Sequence, residues 1–332
     1  MTESNEMSVS RNKPAEKRPR KYRRLVRLVL IGCLLASGGF FFKYYWLEHP
    51  IGNGPAGPIV SQDAFENSWT DRKVLLVGLG DSITAGMGAS PSSKSHFNRL
   101  IKQPSDEFSN MRGICLSNVI PNLTAENLAR SGSTSIENLK YAIPKLEVHD
   151  ADTFGIIVMT TGGSDIIHDY GNGSPHEGAM YGASLRQAQP WIRGFRKRLR
   201  TTFDRIESSF PGGCCIFMGN IYDPTDGVGN AVTAGLPRWP DALNVIREYN
   251  EVIVECTRER DHVHLVNIHD AFLGHGIYSR QFWNEHYRSR DPHYWYWVNF
   301  EDPNNRGYDA IRRLFLIEMA RTLPQALKVD AK

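Results

Sequence analysis

Cysteine, net charge and internal repetition are all scarce in this chain, and each scarcity excludes something. Five cysteines among 332 residues are too few to staple a body of this size. Cys33, Cys115, Cys214, Cys215 and Cys256 form no Cys/His spacing that resembles a zinc site. Adjacent Cys214 and Cys215 sit in an apolar, strand-like run, where a buried thiol is the ordinary state. A net charge of only +3 leaves no protein-wide basic face, so nucleic acid is not an expected partner. No segment repeats. The 41% hydrophobic and 23% charged content is that of a folded globular chain, which excludes wholesale disorder, collagen and coiled coil.

What charge there is lies unevenly. Nine of the 39 basic residues fall in the first 27 positions, opposed only by Glu3, Glu6 and Glu16, so the rest of the chain is slightly acidic. Long uncharged apolar runs are rare as well, and the longest adjoins that basic block. Residues 28–42 carry no charge and are flanked by Arg27 and Lys43. Extended to 25–47, the segment spans about 34 Å as a helix, enough for a hydrocarbon core of about 30 Å. Tyr44, Tyr45 and Trp46 then suit the headgroup region, and the basic side stays cytoplasmic.

The predicted organisation is a basic cytoplasmic tail (1–24), an uncleaved transmembrane signal anchor (25–47), a Pro/Gly-rich linker (48–71) and one domain (72–328) held outside the cytoplasm. Two other readings share the physics of apolar insertion. One is a cleaved signal peptide, although no Ala-x-Ala site follows. The other is a lipobox at Leu30-Ile31-Gly32-Cys33, with Cys33 lipidated.

The body alternates short apolar runs with helical stretches. The runs are 74–77, 154–159, 214–221 and 264–268, with a further short strand expected near 129–131. Helices are predicted at 191–210, 241–259 and 306–323. Apolar strands separated by helices predict an α/β fold whose parallel sheet is covered on both faces. In such sheets ligands bind beyond the carboxyl ends of the strands, so the polar residues just past each run are the candidates for chemistry.

The first run ends in Gly80-Asp81-Ser82. A serine on a tight strand-to-helix turn presents its hydroxyl at the sheet edge and its own N–H to the same space. The plainer alternative is a serine that merely caps the helix. Gly80-Asp81-Ser82 resembles the first sequence block of the SGNH, or GDSL, hydrolases. Leu128-Ala129-Arg130-Ser131-Gly132-Ser133-Thr134 is similar to the second block, Thr161-Gly162-Gly163-Ser164-Asp165 to the third, and residues 301–308 (Glu301-Asp302-Pro303-Asn304 onward) to the end of the fifth. The resemblance spans about 72–323. It implies a flavodoxin-like three-layer α/β/α sandwich and a serine esterase, lipase or acylhydrolase. Ser82 would be the nucleophile, Gly132 and Ser164 oxyanion donors, and no metal or organic cofactor would be needed.

Three positions depart from the family pattern. Ser164 stands at the oxyanion asparagine, Asp302 at the catalytic histidine, and Asn299 at the aspartate three residues earlier. The base must then come from elsewhere. His293, nine residues before Asp302, is the leading candidate, with Asp302 or Asp291 orienting its ring. His275 is the alternative, and His269 and His286 follow the same strand.

The aromatic-rich insertion at 278–300 is expected either to cover the site or to pack onto the body. Asp223, Asp226, Asp165 and Asp169 supply oxygen donors without EF-hand spacing and give no ground for calcium. The expected function is a membrane-anchored ester hydrolase acting through an acyl-enzyme at Ser82 on a small-molecule, glycan or lipid ester. A catalytically impaired module that binds glycan or lipid and an O-acyltransferase are the alternatives.

Overall fold

The computed structural model describes residues 20–328. The basic positions before Arg20, most of the expected cytoplasmic tail, lie outside the described residues. Two compact units follow one another, divided after Leu47. In the first, a helix over Arg20–Phe42 passes into a wider turn over Lys43–Leu47. The stretch Lys21–Leu47 is long and apolar enough to cross a membrane.

The second unit is built on five strands: β1 (Lys73–Gly80), β2 (Leu123–Asn127), β3 (Thr153–Thr160), β4 (Cys214–Gly219) and β5 (Val263–Val266). All pair in parallel, in the order β2-β1-β3-β4-β5. That is the flavodoxin-like order, in which the chain departs in opposite directions from β1 and β3 and leaves a crevice between their carboxyl ends. Gly80 at the end of β1 lies in register with Thr160 at the end of β3, so whatever follows either strand faces the same crevice.

Strand residues alternate between the two faces. Val77 and Leu79, Ile157 and Met159, and Ile216 and Met218 pack beneath the helices Leu185–Ser209 and Ala242–Arg258. The opposite face is covered by His96–Ile101 and the closing helix Asn305–Ala326, which also pack together. The four apolar runs become β1, β3, β4 and β5. The remaining strand falls at Leu123–Asn127, not at 129–131. Its residues are half-buried or exposed, so an edge strand of mixed polarity carries no apolar run to mark it. The helix expected from 191 starts at Leu185, where Ser184 and Gln187 form a reciprocal capping box. Pro190, inside its second turn, hides that start from a periodicity reading.

The stretch expected to be a linker is bonded to the body over 50–58. The Arg306 guanidinium donates to the carbonyls of Ile51 (2.9 Å) and Pro55 (3.2 Å), and Arg313 to that of Pro58 (3.3 Å). The Ala56 N–H donates to Asp309 (2.9 Å). Asp309 is fully buried and is matched by Arg312 and Arg313 at 2.6 and 3.1 Å. With Arg99 also 3.6 Å away, a buried carboxylate with three guanidinium partners and a backbone donor is a satisfied structural charge, and it clamps this strap to the closing helix.

Candidate active site

Three strand ends converge on one cavity of about 610 Å³. Its polar end holds Asp81 and Ser82 after β1, Thr160–Ser164 after β3, Asn220 and Asp223 after β4, and Asn299–Asp302 from the loop before the closing helix. Its other end is apolar, with Ile166, Tyr181, Leu236, Trp239 and Ile246 among its walls. Among the described residues lining it there are five carboxyl groups, no lysine, no arginine and a single histidine, His168. An acidic, partly apolar cavity favours a neutral ligand over an anion.

The turn carrying Ser82 is determined by its neighbours. Gly80 has φ +116°, and a Cβ there would run into the Thr160 carbonyl, so only glycine lets β1 end against β3 in this way. Asp81, not Ser82, caps the short helix Ser82–Ala85: its Oδ1 accepts from the Ile83 N–H (3.2 Å) and the Thr160 hydroxyl (2.7 Å). The serine hydroxyl is thereby left out of the cap. Burial pushes the Asp81 carboxyl up to about 7, against those two hydrogen bonds and with help from the charges of Asp302 and Asp165.

Asp302 stands opposite Ser82. Burial raises its pKa, while hydrogen bonding from the Ser82 hydroxyl and the Asn299 amide opposes the rise. Asn299 Nδ2 donates to Asp302 Oδ2 at 2.6 Å, and the Asp302 N–H returns a bond to Asn299 Oδ1 at 3.2 Å. The serine contact is looser, since Asp302 Oδ1 is buried and meets no donor in full hydrogen-bond geometry. Asn304 then caps the closing helix through the Arg306 and Gly307 N–H groups, and its amide donates to the Tyr294 and Tyr296 carbonyls. The loop that presents Asp302 is therefore pinned on both sides.

Gly132 (φ +74°) and Ser164 complete the polar end. Among the described residues, the N–H groups of Ser82 and Gly132 meet no acceptor, which leaves them available to a ligand oxygen. Asp165, beside Ser164, turns away to bond the Ser135 N–H and hydroxyl (2.7 and 2.6 Å).

The structure brings Ser82, Gly132, Ser164 and Asp302 to one cavity but not His293 or His275. The His293 ring is bonded to Asp291 (2.6 Å), which is itself bonded by Arg306, and it packs where a side chain at Gly52 would stand. His275 is buried flat against Trp295, with ring centroids 3.5 Å apart, and burial lowers its pKa to about 4. His286 lies against Gly227, and His269 bonds the Ile221 carbonyl at 2.8 Å. These rings serve packing because the insertion is folded into the body. Tyr278, Tyr294, Trp295 and Tyr296 are buried, and of 278–300 only Asn299 and Phe300 reach the cavity.

The sequence profile of the GDSL-like Lipase/Acylhydrolase family matches residues 79–310. The chain belongs to this family. No curated protein matches it. Similar solved structures include an extracellular lipase from Streptomyces rimosus, 18% identical over 75% of this chain and 100% of that one, with a TM-score of 0.47. A member of the lipolytic G-D-S-L family from Veillonella parvula is 15% identical over 75% and 97% of the two chains (TM-score 0.44). An acetylxylan esterase from Geobacillus stearothermophilus is 16% identical over 75% and 94% (TM-score 0.43).

Within this GDSL-family site the Asn299–Asp302 pair sits three residues apart, at the spacing of the family's aspartate and histidine, but with its polarity reversed. The earlier residue now donates and the later one accepts. Sequence reasoning missed three residues at the cavity. Glu301 has its pKa raised by burial, against a hydrogen bond from Tyr170. Tyr170 and His168 belong to the turn directly after the helix that carries Ser164. The available signal was position alone: His168 lies one helical turn past Ser164.

Proposed function

We propose that the chain is a membrane-anchored serine ester hydrolase that forms an acyl-enzyme at Ser82 on a neutral carboxylic ester. The observation that carries this reading is the grouping of an uncapped serine hydroxyl, a buried carboxyl and two unpaired N–H groups at the polar end of a largely apolar cavity. In this reading Ser82 Oγ attacks the ester carbonyl while the N–H groups of Ser82 and Gly132, with the Ser164 hydroxyl, receive the developing oxyanion. Asp302 orients the serine hydroxyl, and burial makes it a better acceptor than a solvent-exposed carboxylate. The basic flank of the N-terminal helix supports a cytoplasmic N-terminus with the hydrolase domain outside.

A fluorophosphonate probe tests the nucleophile. The full-length protein in detergent should label and should hydrolyse 4-nitrophenyl butyrate, and Ser82→Ala should do neither. A folded protein that neither labels nor turns over would leave the impaired binding module. Turnover that appears only when an alcohol acceptor is supplied would mean an O-acyltransferase.

A further inference from the structure

We propose that His168 is the general base of this site, supplied from the loop after β3 in place of the histidine missing at position 302. The inference rests on the reading of Ser82 as nucleophile. His168 is the sole histidine among the described residues lining the cavity that holds Ser82 and Asp302. Its ring is not committed to packing: its side chain is 46% exposed, and its charged neighbour on the same loop, Asp169, is 3.9 Å away. Asp169 is also 3.9 Å from His176.

The backbone that carries the ring is wound unusually tightly. Asp169 and Tyr170 are consecutive non-glycine residues in the left-handed region, at φ +62° and +48°. Two such residues in a row persist only where surroundings hold them. Across the rim of the cavity Tyr170 faces the Glu301 carboxyl. Glu301 in turn receives the Asn299 amide (3.2 Å) and lies within Coulombic reach of His168. The loop bearing the imidazole thus faces the loop bearing Asp302 across the cavity. A turn of the His168 side chain toward Ser82 leaves Glu301 facing the imidazolium that forms.

The chemistry closes with no further reactant than water. As the Ser82 Oγ–carbon bond forms, the hydroxyl proton passes to the His168 imidazole. Collapse of the tetrahedral intermediate breaks the bond to the alcohol, which leaves with that proton. Water then adds to the acyl-serine, again giving its proton to His168, and the acid departs as Ser82 takes the proton back. The titratable groups nearest the ring are Asp169 and Glu301, together with His176 across Asp169.

The test uses the full-length protein in detergent, with 4-nitrophenyl butyrate as substrate and a fluorophosphonate as probe. His168→Ala should lower kcat about 10²–10⁴-fold with little change in KM. It should slow labelling of Ser82 in step, remove the acid limb of the kcat/KM profile, and recover activity when free imidazole is added. His168→Gln, which keeps a polar side chain at this half-exposed position, should show the same loss with an unchanged Tm. If His168→Ala hydrolyses and labels like wild type while Ser82→Ala is dead, the hydrolase reading stands and this inference fails. A loss that imidazole does not rescue, with the acid limb intact, also overturns it. A wild-type protein that neither labels nor turns over removes both.

Discussion

The insertion at 278–300 and the turn at His168–Gly171 stand beside the same sheet edge and use their side chains in opposite ways. Histidines in and around the insertion are consumed by structure: His275 lies flat on Trp295, and His293 bonds Asp291 within the contact that holds the strap. The insertion's base is fastened by Asp226, whose carboxylate accepts from the N–H groups of Gly274 (2.9 Å), Gly276 (2.7 Å) and Tyr278 (3.0 Å). The turn after β3 holds its histidine half-exposed at the cavity wall, just before the left-handed pair Asp169 and Tyr170. A ring surrounded by packing has lost the freedom a proton carrier needs. A ring on a wall lined by carboxyl groups keeps it.

The comparison breaks most visibly at the group both segments would serve. Ser82→Ala should lower kcat at least about 10⁴-fold in an ester assay, with Tm unchanged. A smaller loss would mean that neither segment supplies a base to that hydroxyl.

Next in size is a pH effect on the insertion's anchor. Burial pushes Asp226 up to about 7 from an ordinary 3.8, against its backbone donors. The folded protein therefore holds a proton that the unfolded chain has released. The unfolding free energy should fall as pH rises through that window and level off above it, by about 4 kcal/mol at most. Denaturant titrations at pH 5 and pH 8 should show this slope, and Asp226→Asn should reduce it, leaving the part that Asp81 contributes.

Asp302→Asn should reduce kcat about 10²-fold, because an amide cannot stabilise a neighbouring imidazolium as a carboxylate does. Steady-state rates at saturating ester would check it. His293→Ala should do the reverse, leaving kcat within about twofold and lowering stability by roughly 1–3 kcal/mol, since it takes away one of the two hydrogen-bonding partners of Asp291, which are His293 and Arg306. Thermal unfolding beside an esterase assay separates the two outcomes. The smallest effect is expected at Ser164→Ala, about tenfold in kcat with KM unchanged. A hydroxyl there is one oxyanion donor among three, and two of those are backbone groups that the substitution leaves in place.

Much of the architecture is legible in the amino-acid order. β1, β3 and β4 lie inside the sheet and are buried on both faces, so their sequences are continuous apolar runs, and the polar residues just beyond them mark the sheet edge where ligands bind. The two edge strands differ: β5 keeps a mainly apolar run although His264 and Leu265 are half-buried, whereas β2 is of mixed polarity and escapes such a reading. The strap resembles a linker because three prolines and three glycines look the same whether the chain is free or bonded to a helix.

By itself, the sequence determined the alternation of strands and helices, the apolar N-terminal helix, the serine turn and the three departures from the family pattern. Each of these depends on residues close together in the chain. Only the tertiary structure decided which histidine faces the cavity. His293 is nine positions from Asp302 and His168 is 134, but nearness along the chain does not fix direction in space. The insertion folds Tyr278, Tyr294, Trp295 and Tyr296 into the body, whereas parallel pairing of β1 with β3 brings the segment after β3 to the cavity that holds Ser82. That placement comes from hydrogen bonds between strands some 80 residues apart, and no local pattern encodes it.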